Sequence, residues 1–308
     1  MTGQMESHPR DLRGFAGKPP APTWPGSARL ARNFIVNVED GGERTLLNGD
    51  GTSESRLTDL YGMTPQTGVR NLLIESAFEY GSRVGFWRVL DFFQRNALPW
   101  TAYCIGRALE QTPEVAAAVG EADCDLVDHG WRWIDYQFMG EEAERSMIRH
   151  GRQRLTELTG KTPEGYFAGL PSLNTRRLAA DAGYTYDCDA YNEDCPYWVT
   201  VETADGPRPH LVICHTLTNN DSRFAAGQDF VRAADFAGFL CDAFDTLYRE
   251  GETVARMMSV SLHPKLIGNP ARITALQMFL DHVARHDRVW ITRRGRIARH
   301  WAEHHPPA

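Results

Sequence analysis

The stretch that most directly decides the fold is ARLARNFIVNVEDGGE, residues 28–43, an apolar run that ends in an acidic turn. Residues rich in Val, Ile and Phe and bounded by glycines are typical of a β-strand. We therefore predict a first strand over Ala28–Val38, with Glu39 and Asp40 placed directly at its carboxyl end.

The same pattern continues along the chain, because apolar strands alternate with segments of helical periodicity. Further strands are predicted at Trp100–Ile105, Cys124–Val127, Gly165–Ala168, Tyr184–Asp187, Leu211–His215, Met257–Leu262 and Val289–Thr292. Helices are predicted at Gly85–Asn96, Pro113–Gly120, Glu141–Leu158, Asn174–Ala182, Phe230–Arg249 and Ala271–Ala284, with a tail helix at the end. Arg44–Asn71 is interpreted as a long functional loop, and the segment before Leu211 as a polar excursion.

This alternation indicates a parallel sheet with helical crossovers. About seven or eight such units follow one another without a dividing linker, so we predict a single α/β domain over residues 28–308. An extended arm, residues 1–27, precedes it. A closed or nearly closed parallel β/α barrel is favoured over an open sheet, and no G-x-G-x-x-G follows a strand to suggest dinucleotide binding.

Composition excludes several classes of function. The 308 residues carry 33 Lys and Arg against 40 Asp and Glu, a net charge of -7, which argues against a nucleic-acid partner. No run approaches the roughly 20 apolar residues of a membrane helix, and Met1–Pro25 has no export signal. The six cysteines are scattered without a C-x-x-C pair, so neither a zinc knuckle nor a disulfide framework is indicated. We expect a cytoplasmic protein without a membrane partner.

Polar side chains follow several predicted strands. Glu39 and Asp40 end the first, and His129, His215 and His263 each end a later one. In parallel barrels the chemistry lies where strands end and loops begin. A single such residue is commonly a cap, but this coincidence indicates a shared site. A carboxylate that deprotonates water, a histidine that protonates a leaving nitrogen and a carboxylate–histidine pair that holds a metal all suit amide hydrolysis.

These strand ends resemble the motifs of the polysaccharide deacetylase superfamily, a deformed barrel of about seven strands. Its T-F-D-D-G motif corresponds to Val38–Gly41, its H-[ST]-x-x-H motif to His129–Trp133, and its L-x-H motif to Ser261–His263. The resemblance implies that Glu39 is the base, His263 the general acid, and Asp40 and His129 metal ligands. Trp133 replaces the second metal histidine.

A longer resemblance covers almost the whole chain and points to the metal-independent allantoinases, with cyclic imide hydrolases as neighbours. It rests on Trp24–Gly26, Glu39–Glu43, Glu75–Arg83, His129–Tyr136, Asn174–Arg177, Pro196–Trp198, Leu266–Gly268 and Ile297–Trp301. It implies a homo-oligomer, commonly a tetramer. The residues expected to bind substrate are Glu75, Tyr80, Arg83, Trp133, Phe167, Leu170, Asn174, His215 and Trp198.

The departures from that group concern the expected substrate wall. Leu170 stands where those allantoinases carry an arginine, Thr218 where they carry a carboxylate, and Asp40 where they carry a glutamate. His215 replaces a tyrosine and is interpreted either as a new ligand or proton carrier, or as a hydrogen-bonding wall residue. Loss of charged partners predicts a less polar pocket with altered selectivity.

The leading hypothesis is ring-opening hydrolysis of a small cyclic amide: a ureide such as allantoin, a hydantoin or a cyclic imide. The alternatives are metal-dependent deacetylation of N-acetylated sugars and a catalytically silent barrel used for binding. We expect no cofactor. Asp40 and His129 offer at most a weak metal site, with zinc as the candidate ion, because zinc sites usually draw at least three protein ligands.

Overall fold

The computed structural model describes residues 10–225 and 230–307 and contains nine strands within them. They are β1 Leu30–Val38, β2 Trp100–Cys104, β3 Cys124–Asp128, β4 Gly165–Tyr166, β5 Tyr186–Asp187, β6 Tyr197–Thr203, β7 Gly206–Val212, β8 Arg256–Leu262 and β9 Val289–Thr292. The helices are α1 Leu72–Tyr80, α2 Phe86–Arg95, α3 Gly106–Gln111, α4 Pro113–Glu121, α5 Glu141–Thr159, α6 Thr175–Asp181, α7 Ser222–Ala225, α8 Ala233–Glu250, α9 Pro264–Ile267, α10 Thr274–Val283 and α11 Arg294–His304. A π-helical turn, Gly81–Gly85, joins α1 to α2.

The strands form one sheet in the order β6-β7-β5-β4-β3-β2-β1-β8, with β9 also paired to β1. Every ladder is parallel except the antiparallel pair β6–β7. The predicted α/β class with a parallel sheet is therefore confirmed. Within the described residues no ladder joins β8 to β6, but single backbone contacts bridge that gap. Met257 N–H donates to Asp194 O, and Asn220 forms an isolated bridge with Ser261.

The first strand separates two layers of the core. Leu30, Phe34 and Val36 pack under the helices, whereas Ala31 and Ile35 point into a second cluster inside the curved sheet. This division follows from the strand's two-residue side-chain period, which sends successive side chains to opposite faces. Both faces of β1 are buried, as expected for a central parallel strand.

The predicted polar excursion before Leu211 was wrong, because Tyr197–Val212 forms the hairpin β6–β7. Most of the hairpin is solvent-accessible on both faces, so its sequence lacks the apolar alternation that reveals a half-buried strand. The hairpin also ends at Val212, so His215 lies three residues beyond its strand and not at the strand end.

Helices α1 and α3 were not predicted. Helix α1 leaves Leu72 and Leu73 exposed and therefore lacks a simple amphipathic pattern.

The described part of the arm, residues 10–27, contains no strand; it has a hydrogen-bonded turn at residues 14–17 and a short 3-10 helix, Pro25–Ser27. Trp24 anchors it: the indole is buried, and its Nε1–H donates to Arg256 O on β8. Residues 1–9 of the predicted arm lie outside the described residues, and the domain boundary at residue 28 stays a prediction. All six cysteines are free thiols. No described helix is both long and apolar enough to span a bilayer.

Candidate active site

Glu39 lies at the carboxyl end of β1 and is almost completely buried. One carboxylate oxygen, Oε1, accepts a hydrogen bond from Lys265 Nζ at 2.6 Å. The other, Oε2, has no hydrogen-bond partner among the described residues and lies 3.5 Å from His129 Nε2. Burial would raise the pKa of Glu39, but the charges of Lys265, His263 and His129 outweigh burial and hold it below its ordinary value. The result is a buried carboxylate that stays ionised and keeps one oxygen available.

Lys265 supplies an internal positive charge behind this carboxylate. Its ammonium lies 2.6 Å from Glu39 Oε1 and 3.1 Å from Asp40 Oδ1, and it sits 4.5 Å above the ring centroid of Phe78. Burial would lower the pKa of Lys265, but Asp40 and Glu39 raise it above its ordinary value, so the amine remains protonated. Burial, assisted by the negative charge of Glu39, raises the pKa of Asp40 to about 6 despite Lys265.

The π-helical turn makes room for Asp40. A Cβ built on Gly81 would come within 1.9 Å of Asp40 Oδ2, and one on Gly85 within 2.1 Å of Pro264 O. Only glycine allows the turn to approach both segments so closely. π-Helical turns recur at functional sites, and this one presses the α1–α2 junction against the acidic turn and against α9.

His263 follows β8 and forms a dyad with Asp221. His263 Nδ1 lies 2.6 Å from Asp221 Oδ1, while Asp221 Oδ2 accepts the backbone N–H groups of His263 and Ile267. Because Nδ1 faces a carboxylate it carries the proton, and Nε2 is turned towards Glu39, 3.9 Å from Oε1. A buried carboxylate in this position orients the imidazole and stabilises its protonated form.

His129 follows β3 on the other side of Glu39. Its Nδ1 lies 3.0 Å from Phe167 O, and a carbonyl can only accept, so Nδ1 is protonated and Nε2 faces the carboxylate of Glu39. Asp128, directly before it, accepts from Gly130 N–H and from the Tyr184 hydroxyl. These bonds fix the turn that aims the imidazole.

His215 lies against aromatic rings on the wall of the site. It stacks on Tyr103 at 5.7 Å between ring centroids and packs against Phe167 at 4.5 Å. Burial, together with the charges of Arg294, His129 and His263, holds the pKa of His215 well below its ordinary value. Nδ1 of this neutral ring has no hydrogen-bond partner among the described residues.

Glu39 and the three histidines border one pocket of about 220 Å³. Its lining is Asn37, Glu39, Arg56, Leu57, His129, Trp133, Ile134, Phe167, Ala168, Gly169, Leu170, Tyr191, His215, Leu217, Asn220, Ser222 and His263. Aromatic and aliphatic side chains are mixed with Glu39, Arg56 and three histidines in this lining. A small neutral ring with a few polar atoms suits such a lining.

Two buried or half-buried polar side chains hold the loops that form the rim. Arg132 donates to the carbonyls of Gly42, Glu43 and Asn48, and it pairs with Asp50. It thereby fixes the start of the long loop 44–71, which contributes Arg56 and Leu57 to the pocket. Glu144 accepts from the hydroxyls of Ser172 and Thr175 and so fixes the loop that carries Leu170.

The structure brings together most of the predicted catalytic residues and fewer of the predicted substrate-binding ones. Glu39, His129, His263, Trp133, Phe167, Leu170 and His215 line the pocket, whereas Asp40 lies behind Glu39 against Lys265.

The other five residues predicted to bind substrate lie elsewhere, and each is engaged differently. Glu75 pairs with Arg70, Tyr80 bonds Gly268 O, Arg83 is exposed beside Glu79, Asn174 borders a separate cleft, and Trp198 Nε1–H donates to His305 O. In this single chain none of these five reaches the pocket, so the motif match alone did not indicate where their side chains point.

Sequence reasoning missed two residues of this site, Lys265 and Asp221. Each had a signal: Lys265 is an isolated cation inside the apolar stretch Leu262–Ile267, and Asp221 ends the polar run Thr218–Asp221. A lysine in an apolar run is buried only if it is paired, which would have directed attention to the acidic turn.

The chain is similar in sequence and fold to several known proteins. The sequence profile described as polysaccharide deacetylase matches residues 70–186. A putative polysaccharide deacetylase of Schizosaccharomyces pombe is 39% identical over 96% of this chain and 98% of its own length. The crystal structure of a probable polysaccharide deacetylase from Pseudomonas aeruginosa PAO1 is 46% identical, with a TM-score of 0.93 over 98% of this chain and all of that one. The crystal structure of PuuE allantoinase is also 46% identical, with a TM-score of 0.94 over 98% of this chain and 99% of that one.

The chain belongs to the polysaccharide deacetylase family. The predicted membership of this superfamily and the predicted similarity to an allantoinase are both confirmed. The expected enzyme class, a hydrolase of this superfamily, is likewise confirmed.

Proposed function

We propose that this protein opens a C–N bond in a small cyclic amide by adding water across it. The observation that carries the proposal is the arrangement around Glu39. This buried, ionised carboxylate lines the pocket, its Oε2 has no hydrogen-bond partner among the described residues, and His263 Nε2 lies 3.9 Å from its Oε1. A base and a proton donor on two sides of one small cavity are what ring opening requires.

The steps follow from those positions. Glu39 Oε2 accepts a proton from water, and the water oxygen bonds to the amide carbon. His129 Nε2, which lies beside Oε2 and is the acceptor nitrogen of the ring, accepts a hydrogen bond from the same water and helps to orient it. The ring C–N bond then breaks, and its electron pair takes a proton from His263 Nε2, whose imidazolium form Asp221 stabilises. The product carries a new carboxylate and a new N–H.

The size and charge of the pocket support a small neutral substrate. Its volume of about 220 Å³ is below the roughly 300–1,000 Å³ of ordinary ligand sites, so one ring fits better than several linked sugars. The positive charge of Lys265 is already matched by Glu39 and Asp40 and does not reach the lining. The similarity to PuuE allantoinase supports the same class of substrate.

We further propose that the reaction needs no metal, because the donor set fits one poorly. Asp40 Oδ1 lies 3.1 Å from the Lys265 ammonium, and Trp133 offers no ligand atom where the family motif has its second histidine. Among the described residues the pocket's carboxylates and histidines do not form a group of three with ligand atoms within 4.8 Å. Lys265 provides the neighbouring positive charge instead.

The second candidate is deacetylation of an N-acetylated sugar, which the S. pombe relative's description as a putative polysaccharide deacetylase favours. One experiment separates the two. Enzyme stripped with a chelator is assayed for loss of ultraviolet absorbance on allantoin, hydantoin, succinimide and phthalimide, and for acetate release from N-acetylglucosamine oligomers. We expect turnover of a cyclic amide that survives chelation. Acetate release restored by zinc, with no ring opening, would instead establish the deacetylase.

A further inference from the structure

Two histidines and one carboxylate converge on the outer surface where α8 packs against α10, away from the residues of the pocket. Asp245 is on α8, His282 is in the last turn of α10, and His286 is in the turn that follows. Asp245 Oδ1 lies 2.7 Å from His282 Nε2 and 3.8 Å from His286 Nε2. All three potential ligand atoms lie within 4.8 Å of one another.

The spacing of these atoms fits a tetrahedral metal ion. With metal–ligand bonds of about 2.0–2.1 Å, two ligands of a tetrahedral zinc are roughly 3.3 Å apart. The two separations from Asp245 Oδ1, 2.7 Å to His282 Nε2 and 3.8 Å to His286 Nε2, lie on either side of that value. Small side-chain rotations would therefore equalise them, without movement of either helix.

A second observation is the way the imidazoles are held. His286 Nδ1 donates to His282 O at 3.2 Å, which leaves the lone pair of Nε2 directed at Asp245. Histidines that bind metals characteristically use their other nitrogen to donate in this way. Phe244 packs edge-on against both imidazoles, at 5.8 and 5.0 Å between ring centroids, and Tyr248 packs against His286 at 5.1 Å. The rings are thus oriented by neighbours other than the carboxylate.

We propose that Asp245, His282 and His286 form a zinc-binding site that links α8 to the segment leading into β9. Two imidazole nitrogens and one carboxylate oxygen suit Zn²⁺ and similar divalent transition metals, and water completes the coordination. The side chains are 48%, 23% and 26% exposed, respectively, so a hydrated ion can reach them. Because the site spans two helices of the folded chain, bound metal stabilises the native state.

The chain contains a natural control for this site. His300 and His304 on α11 are also four residues apart, and their rings stack at 4.0 Å. Within the described residues, however, they are not part of a three-ligand group. A metal attracted merely by paired surface histidines would bind there as well, whereas the proposed site needs Asp245.

The test is titration of the full-length, tag-free chain with zinc chloride near neutral pH, by calorimetry and by thermal unfolding. We expect one dominant site and a rise in Tm that EDTA reverses. His282→Ala and Asp245→Asn each lower the affinity by about tenfold or more, whereas His304→Ala leaves it unchanged. Asp245→Asn keeps a side chain of the same shape at the helix contact, so it decides the matter if His282→Ala disturbs folding.

Three results would overturn the proposal. The first is affinity and Tm shift unchanged by Asp245→Asn. The second is a loss on His304→Ala as large as that on His282→Ala, which would indicate adventitious binding. The third is binding that Asp40→Asn abolishes, which would place the metal beside Glu39, at the carboxyl end of β1.

Discussion

Lys265 Nζ lies 2.6 Å from Glu39 Oε1, although both side chains are almost fully removed from solvent. The two charges attract each other strongly because the protein interior screens them weakly. If one partner is removed, the other is left as an unpaired buried charge, which lowers the free energy of unfolding. The pair therefore has two consequences that can be measured separately, one on the chemistry and one on the fold.

The first prediction concerns Lys265→Met. Loss of the ammonium removes an influence that holds down the pKa of Glu39, so that pKa rises. The acidic limb of the pH profile of kcat/KM should move to higher pH, because the base must lose its proton before water attacks. Lys265→Arg retains the charge and should keep the limb near its original place. An unmoved limb in a folded Lys265→Met protein would show that Lys265 does not act through Glu39.

The second prediction concerns the base itself. Glu39→Gln keeps the shape and the acceptor for Lys265 but cannot take a proton from water. Turnover should fall by about 10²–10⁴-fold while the fold remains. Asp187→Asn is a suitable control, because Asp187 is equally buried but pairs with Arg176 and His210 and does not line the pocket. Activity near normal in Glu39→Gln would remove Glu39 from the mechanism.

The third prediction concerns stability and pH. Burial raises the pKa of Glu43 from 4.5 to about 7 in the folded chain. The folded state then keeps a proton that the unfolded state has released, so this contribution is fully present below 4.5 and is lost as pH rises towards 7. Glu43→Gln has no such proton to lose. Its free energy of unfolding, relative to the unmodified protein, should increase with pH across that window by at most about 1.4 kcal/mol per pH unit.

Urea unfolding at several pH values between those limits measures this difference. A constant difference between the two proteins would show that Glu43 titrates normally in the folded state.

The fourth prediction concerns specificity. Leu170 lines the pocket at the position where the resemblance to allantoinases leads us to expect an arginine. Thr218, which was expected to replace a carboxylate of the substrate wall, is exposed and does not line the pocket, so the prediction depends on Leu170. An unpaired buried polar group costs about 1–3 kcal/mol, so the ureido tail of allantoin should be poorly accommodated. We expect kcat/KM to be higher on at least one cyclic imide or simple hydantoin than on allantoin, by roughly 5- to 150-fold, which is the ratio that this cost represents.

Leu170→Arg should shift that ratio back towards allantoin. Leu173→Arg, in the same loop but exposed outside the pocket, should not. A clear preference of the unmodified enzyme for allantoin would refute the pocket argument.

The fifth prediction concerns Arg32, whose guanidinium is fully buried under the helices. None of its three nitrogens has a hydrogen-bond partner among the described residues, and it lies 4.2 Å from the ring centroid of Phe34. Burial lowers the pKa of Arg32 to about 9. Arg32→Met should therefore raise the free energy of unfolding by about 1–4 kcal/mol.

Arg294→Met is the matched contrast. Arg294 is equally buried but donates to the carbonyls of Ile213 and Cys214, so its loss leaves acceptors unpaired and should destabilise the protein. Chemical denaturation of both variants tests the pair, and stabilisation by both would mean that the hydrogen bonds of Arg294 contribute nothing.

The parts of the fold that could be predicted are those in which burial imposes a pattern. β1 and the helix Glu141–Thr159 were predicted to within two residues, because β1 carries a long apolar run and the helix has apolar residues at helical spacing followed by a glycine stop. The hairpin β6–β7 was missed because most of it is exposed, and α1 because Leu72 and Leu73 point outwards. In both places the side chains face solvent and do not pack in the core, so they show no apolar periodicity from which the element could be predicted.

The site was predictable to the extent that its residues end strands. Glu39, His129 and His263 each follow a strand directly, and the parallel sheet brings them to one edge. Lys265 and Asp221 act through contacts between segments that are distant along the chain, and no local pattern encodes such contacts. The directions of the Glu75 and Trp198 side chains also depend on contacts between distant segments, so the sequence motifs could not indicate them.

The position of β1 has a kinetic consequence. This first strand pairs with β8 and β9, whose residues lie more than 200 positions later, and Lys265 meets Glu39 only after β8 has docked. Contacts of such long sequence separation slow folding. A nascent chain therefore holds Glu39 and Asp40 without their counter-charge until synthesis is nearly complete, and an amino-terminal fragment that ends before Lys265 lacks that charge altogether. Refolding from urea should regain activity only with the last structural phase, when the two ends of the chain have met.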